Sequence, residues 1–140
     1  MDYSISWGPF AVLALANFFG SWIYYSPISP FFKKWQHSLG IDPNKKTMTE
    51  EEKKAMPRLM GGAVLGTLLF AYGMQVLFHS LNLSTAIDGM KLGFVAWFTF
   101  AVTHSLNTQF EGRKPVVLVI NNILYVLTYA GFGALLAVWK

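Results

Sequence analysis

Residues 116–139 read VVLVINNILYVLTYAGFGALLAVW, without one Asp, Glu, Lys or Arg. A transmembrane helix needs about 20 predominantly apolar residues. Three further stretches are equally free of charge: Tyr3 to Phe32, Leu59 to Ile87, and Leu92 to Phe110. Across all 140 residues, 54% are hydrophobic and 13% charged, where an ordinary soluble domain carries about 25% charged residues. The pattern predicts an all-α protein: an integral membrane four-helix bundle forming a single membrane domain over residues 1–140. Its spans are expected at about 8–25, 59–81, 86–110 and 116–139. A soluble enzyme, a nucleic-acid reader and a disordered tail are excluded by the same arithmetic, and the net charge of +4 reads as a topology signal.

The connections carry that signal. The segment between the first two spans holds Lys33, Lys34, Lys45, Lys46, Lys53, Lys54 and Arg58, and the turn after the third holds Arg113 and Lys114. The other side has only Lys91 and Lys140. Excess Lys and Arg mark the cytoplasmic face. The expectation is a multi-pass protein of the plasma (inner) membrane, with loop 26–58 cytoplasmic and both termini extracytoplasmic. Trp7 at one end of the first span, and Trp22, Tyr24 and Tyr25 at the other, suit the two headgroup levels. The start, Met1-Asp2-Tyr3, lacks the basic region of a cleavable signal peptide.

Ser26-Pro27 should stop the first helix. Beyond it, Ile28, Phe31, Phe32, Trp35 and Leu39 share one helical arc, with Lys33, Gln36 and His37 opposite. Ser29 as cap, Pro30 at the first position and Gly40 at the end give a short interfacial amphipathic helix. Phe31, Phe32, Lys33, Lys34 and Trp35 would touch the bilayer surface, or pack on the ends of the first two spans. Thr49 with Glu52 forms a capping box, and Glu50 with Lys54 an i,i+4 pair. Pro57 should kink or break the helix that follows. Ser84 or Thr85 should cap the third span, and Gly112 with Pro115 should make the last turn tight.

Small residues suggest where helices meet. Gly62 and Gly66 have the GxxxG spacing that lets membrane helices approach closely. Ala16 and Gly20 offer a matching face on the first span, so this groove meets that span, another protein or a second copy. Polar residues suggest a second feature. Thr103, His104, Asn107 and Glu111 follow one another at helical spacing on the third span, and Asn121, Asn122, Tyr125 and Tyr129 on the fourth. Arg113 lies just below, and Asn17 on the first span reaches the same core. Such a cluster serves as a pocket or ion path, or as interhelical glue at about 1 kcal/mol per hydrogen bond. Amides outnumber ionisable groups and no carboxylate lies deep in a span, which favours glue.

Cysteine is absent, which removes thiolate chemistry and disulfides. His79 and His104 should differ in depth by about 18 Å at the α-helical rise, too far apart to share one haem or metal ion. No cofactor is therefore expected, and no nucleophile–base pair assembles, so the chain does not read as an enzyme. The 12 Phe, 5 Trp and 6 Tyr are largely explained by lipid contact and interfacial belts, with a quinone, pigment or lipid ligand left open.

Several short motifs resemble those of a bacterial family. Tyr24-Tyr25-Ser26-Pro27 with Phe32 and Trp35 is similar to its first signature. Asn107-x-x-Phe110-Glu111-x-Arg113, Ile120-Asn121-x-x-x-Tyr125 and Gly133-Ala134 before Trp139 resemble its second half. This is the domain-of-unknown-function family seventeen-sixty-one, of small four-span membrane proteins. The resemblance implies a compact four-helix membrane protein and supplies no catalytic residue. The expected function is that of an accessory or interaction subunit in a larger membrane complex. Its partners would be the lipid bilayer and other membrane subunits or copies of itself, with no nucleic acid. The alternative is a homo-oligomeric transporter or channel using the polar face of the last two spans.

Overall fold

A computed structural model describes residues 2–42 and 47–139. Lys45, Lys46 and Lys140, used in the charge argument, lie outside the described residues. Among those described, every regular element is helical: α1 (Trp7–Tyr24), α2 (Phe32–Ser38), α3 (Glu50–His79), α4 (Ala86–Glu111) and α5 (Pro115–Val138). α3, α4 and α5 are long and apolar enough to cross a membrane, which points to membrane insertion. α1 is an uncharged helix of 18 residues packed beside them.

The termini of these helices follow their caps. The Thr49–Glu52 box is present, with Glu52 N–H donating to Thr49 Oγ1 (3.2 Å) and Thr49 N–H donating to Glu52 Oε2 (2.8 Å). Thr85 caps α4 by accepting from Asp88 N–H at 3.1 Å. Gly112, at φ +79°, ends α4 in the left-handed conformation that glycine adopts without Cβ strain. Pro115 then opens α5 at its first turn, where no N–H is needed.

One expectation about α3 is corrected: the helix is not broken at Pro57. It runs from Glu50, where the capping box starts it, through that proline and into the stretch expected to span at about 59–81. The carbonyl deprived of its donor is that of Lys53, on an exposed turn, where solvent can take the place of the lost donor. The predicted Glu50–Lys54 pair is replaced by Glu50–Lys53 at 2.7 Å, an exposed contact that contributes little.

The interfacial helix is shorter than expected. Ser29 Oγ accepts from Phe31 N–H (3.2 Å) in a turn, and regular helix begins only at Phe32. Phe31 and Trp35 lie against the tyrosines that end α1, at ring distances of 5.5 Å to Tyr24 and 4.9 Å to Tyr25. α2 also packs on α5. Lys33 and Lys34 stay exposed.

Packing is uneven along the bundle. The core of Leu13, Ala14, Ala71, Met74, Phe78 and Leu136 joins α1, α3 and α5 at the end that bears both chain termini. There Asp2 N–H donates to Ser80 Oγ (3.0 Å), Gln75 Nε2 donates to the Ser6 carbonyl (2.8 Å), and Gly8 abuts the Trp139 indole. α4 and α5 form the most extensive helix pair. Toward the loop side, α3 separates from the rest. From Glu50 to Gly66 every residue but Ala55 is exposed.

Candidate functional site

That separation opens a cleft of about 800 Å³ in the loop-side half of the bundle. Its walls come from α1, α3, α4 and α5. Asn17, Ser21, Thr67, His104, Tyr125 and Tyr129 supply polar groups, and Phe18, Trp22, Phe70 and Phe100 supply aromatic surface. A second cavity of about 500 Å³ lies higher between α3 and α4, and shares Phe70, Phe100 and Tyr129 with the first.

The predicted polar cluster is divided among three places. Asn122 is the centre of the first. Its Nδ2 donates to Ser105 Oγ (2.9 Å) and to the Leu118 carbonyl (2.9 Å), while its Oδ1 accepts from Trp97 Nε1 (3.1 Å). Asn121 belongs to the second, accepting from the Tyr25 hydroxyl at 2.8 Å. The neighbouring Tyr24 hydroxyl donates to the Ile120 carbonyl at 2.7 Å, so two tyrosines fasten the end of α1 onto α5. The third place is the cleft, which gathers Asn17, His104, Tyr125 and Tyr129. Asn17 Nδ2 donates to Thr67 Oγ1 at 3.4 Å.

The expected meeting of Asn107 with Asn121 or Asn122 does not occur. Thr103, Asn107 and Glu111 are exposed, and Glu111 only reaches Arg113 Nε at 3.5 Å. The cause is a wide, π-helical turn over Trp97–Val102. Above it, Gly89, Gly93 and Ala96 are buried; below it, Ala101, Ser105 and Thr108 are. A uniform helix would continue the first series through positions 100, 104, 107 and 111, the face that carries the predicted cluster. The π turn inserts one residue, a common device at functional sites, and rotates everything beyond it by about 100° (the angle per residue of an α-helix). His104 thereby turns away from α5 and onto the wall of the cleft.

Sequence reasoning missed Ser105, Trp97 and Thr67 as polar partners. A signal for Ser105 existed in the small residues at 89, 93, 96, 101, 105 and 108, whose spacing of 4, 3, 5, 4 and 3 marks the inserted residue.

The glycine contacts are similarly divided. A Cβ at Gly89 or Gly93 would collide with the carbonyl oxygen of Gly133 or Tyr129, and one at Gly133 would stand 2.9 Å from the Phe78 ring. Around Gly62, Gly66 and Gly73 there is nothing within 4 Å of that position, and the same holds for Gly20. The groove on α3 therefore does not meet the Ala16–Gly20 face. α1 instead reaches α3 through Leu13, Ala14 and Asn17.

No curated protein and no solved structure matches the chain. The family model described as "Protein of unknown function (DUF1761)" matches residues 9–137, nearly the whole length, and the chain belongs to that family.

Proposed function

We propose that this protein is an accessory subunit that receives a transmembrane helix of a partner along α3. Four spans, α1 included, would cross the plasma (inner) membrane of a bacterium, with loop 26–58 cytoplasmic and both termini extracytoplasmic. The observation that carries this reading is the uncovered glycine stripe. Gly62, Gly66 and Gly73 follow at intervals of four and seven, so they lie along one side of α3. Lipid tails gain little from a backbone groove, whereas a second helix gains close van der Waals contact there. Within this chain, the crossing of α4 and α5 at Gly89, Gly93 and Gly133 is such a contact already made.

The test is gentle extraction followed by native mass spectrometry of the parent and of Gly66→Leu. Other subunits should co-purify at fixed stoichiometry with the parent and dissociate from the variant, while both chains keep the same thermal midpoint. A solitary monomer, or a complex indifferent to Gly66→Leu, would overturn the reading. A homo-oligomer would replace it with the transporter alternative, in which copies arranged around an axis enclose a path beside His104.

A further inference from the structure

We infer that the loop-side cleft binds an aromatic amphiphile bearing ring carbonyls, the chemical class of the isoprenoid quinones. The cleft shares Gly66 with the proposed docking stripe on α3, so the test below uses only residues of α1, α4 and α5.

Three polar side chains of the cleft have no hydrogen-bond partner among the described residues. His104 on α4 and Tyr125 and Tyr129 on α5 all line the cleft. Among the described residues, neither tyrosine hydroxyl nor the His104 ring makes a hydrogen bond, although Tyr24 and Tyr25 nearby both use theirs. His104 is exposed and both tyrosines are half-buried, so their polar groups face the open cleft, where hydrocarbon offers them no partner. A ligand that carries hydrogen-bond acceptors would pair with them, beside the further polar groups of Asn17, Ser21 and Thr67. Imidazole N–H and phenol O–H are donors suited to carbonyl oxygens.

The walls narrow the class further. Phe18, Trp22, Phe70 and Phe100 surround these donors from three helices, and aromatic faces pair with planar rings in offset or edge-on arrangements. A volume of about 800 Å³ lies within the usual range for small-molecule pockets, about 300–1,000 Å³. No charged side chain lines the cleft. Lys33, Lys34 and Arg58 sit outside it and are exposed. A phospholipid headgroup would thus find no cation within, whereas an uncharged ring with two carbonyls and an alkyl tail meets donors, aromatic walls and an open side toward lipid.

The test uses the isolated full-length chain in nanodiscs of zwitterionic lipid, titrated with decylubiquinone. Quinones quench indole emission, and Trp22 lines the cleft. The parent should show a saturable component of quenching that disappears in Trp22→Phe and persists in Trp7→Phe. The half-saturating quinone-to-lipid ratio should rise at least tenfold in Tyr125→Phe and in His104→Leu, with helicity unchanged. The dimethyl ether of the corresponding quinol, with the same ring and tail but no carbonyls, should bind at least tenfold more weakly. Quenching that grows linearly with quinone content, or is identical in Trp22→Phe, would overturn the inference. Equal binding of the carbonyl-free ether would also overturn it, and would assign the cleft to lipid chains.

Discussion

The crossing of α4 with α5 and the loop-side half of α3 are built from the same material and treated oppositely. Both are glycine-bearing helix surfaces in an apolar chain. At the crossing, Gly89, Gly93 and Gly133 let two backbones touch, and no side chain larger than hydrogen fits. On α3, Gly62, Gly66 and Gly73 face open space, and almost nothing from Glu50 to Gly66 is covered. The difference separates two meanings of a small residue in a membrane helix. At the crossing glycine is required by a contact already present. On α3 it touches nothing in the chain, and Gly66 and Gly73 border the two cavities instead.

Substitution should expose the difference most strongly at the crossing. Gly93→Leu drives a side chain into the Tyr129 carbonyl, so α4 and α5 must separate. The expected loss is about 3 kcal/mol, read as a lower midpoint in thermal unfolding in detergent. An unchanged midpoint would mean that the helices are not in backbone contact. Asn122→Leu comes next. It orphans Trp97 Nε1 and Ser105 Oγ, and at about 0.6 kcal/mol per intramembrane hydrogen bond should cost about 1–2 kcal/mol. Trp97→Phe made in the Asn122→Leu background should then add less than it does alone, and strict additivity would show the two residues to be uncoupled.

Smaller effects are expected where the surface is open. Gly62→Ile should shift the midpoint of the isolated chain by no more than about 0.5 kcal/mol equivalent, while weakening any association made through α3. A large destabilisation would mean that the groove is already filled by this chain. Asn107→Leu should be the mildest, within about 0.5 kcal/mol, because Asn107 is exposed and bonded to none of the residues on α5. A fall as large as that of Asn122→Leu would place Asn107 in the bonded network.

The layout of this protein was legible in the sequence wherever a rule is local. Uncharged stretches located the long helices, and Thr49, Thr85, Gly112 and Pro115 marked their ends through caps and turns. What sequence periodicity could not supply was phase. The cluster of Thr103, His104, Asn107 and Glu111 was placed opposite Asn121 and Asn122 on the assumption of one uninterrupted period, and one inserted residue between Trp97 and Val102 moved it. Pro57 misled for a related reason. The cost of a proline depends on whether the freed carbonyl is wet, which its neighbours in sequence do not state. The cleft was not legible either, since it arises from the departure of half of α3 from the bundle, and nothing in α3's own composition distinguishes a packed glycine from an idle one.

The π turn in α4 has one more consequence, concerning the kind of edit the chain tolerates. Deleting a single residue from a regular spanning helix puts every later side chain on a new side and destroys the packing beyond it. Here the chain holds one residue in excess of the α-helical repeat. Removing Thr99 would let the turn relax into ordinary helix while Gly89, Gly93 and Ala96 kept their places above. Ala101, Ser105 and Thr108 would keep theirs below, since the shortened series returns to a spacing of 4, 3, 4, 4 and 3. The helix thus carries its own spare residue, and the length of this span is less constrained than its neighbours' at the one point where its wall meets the cleft.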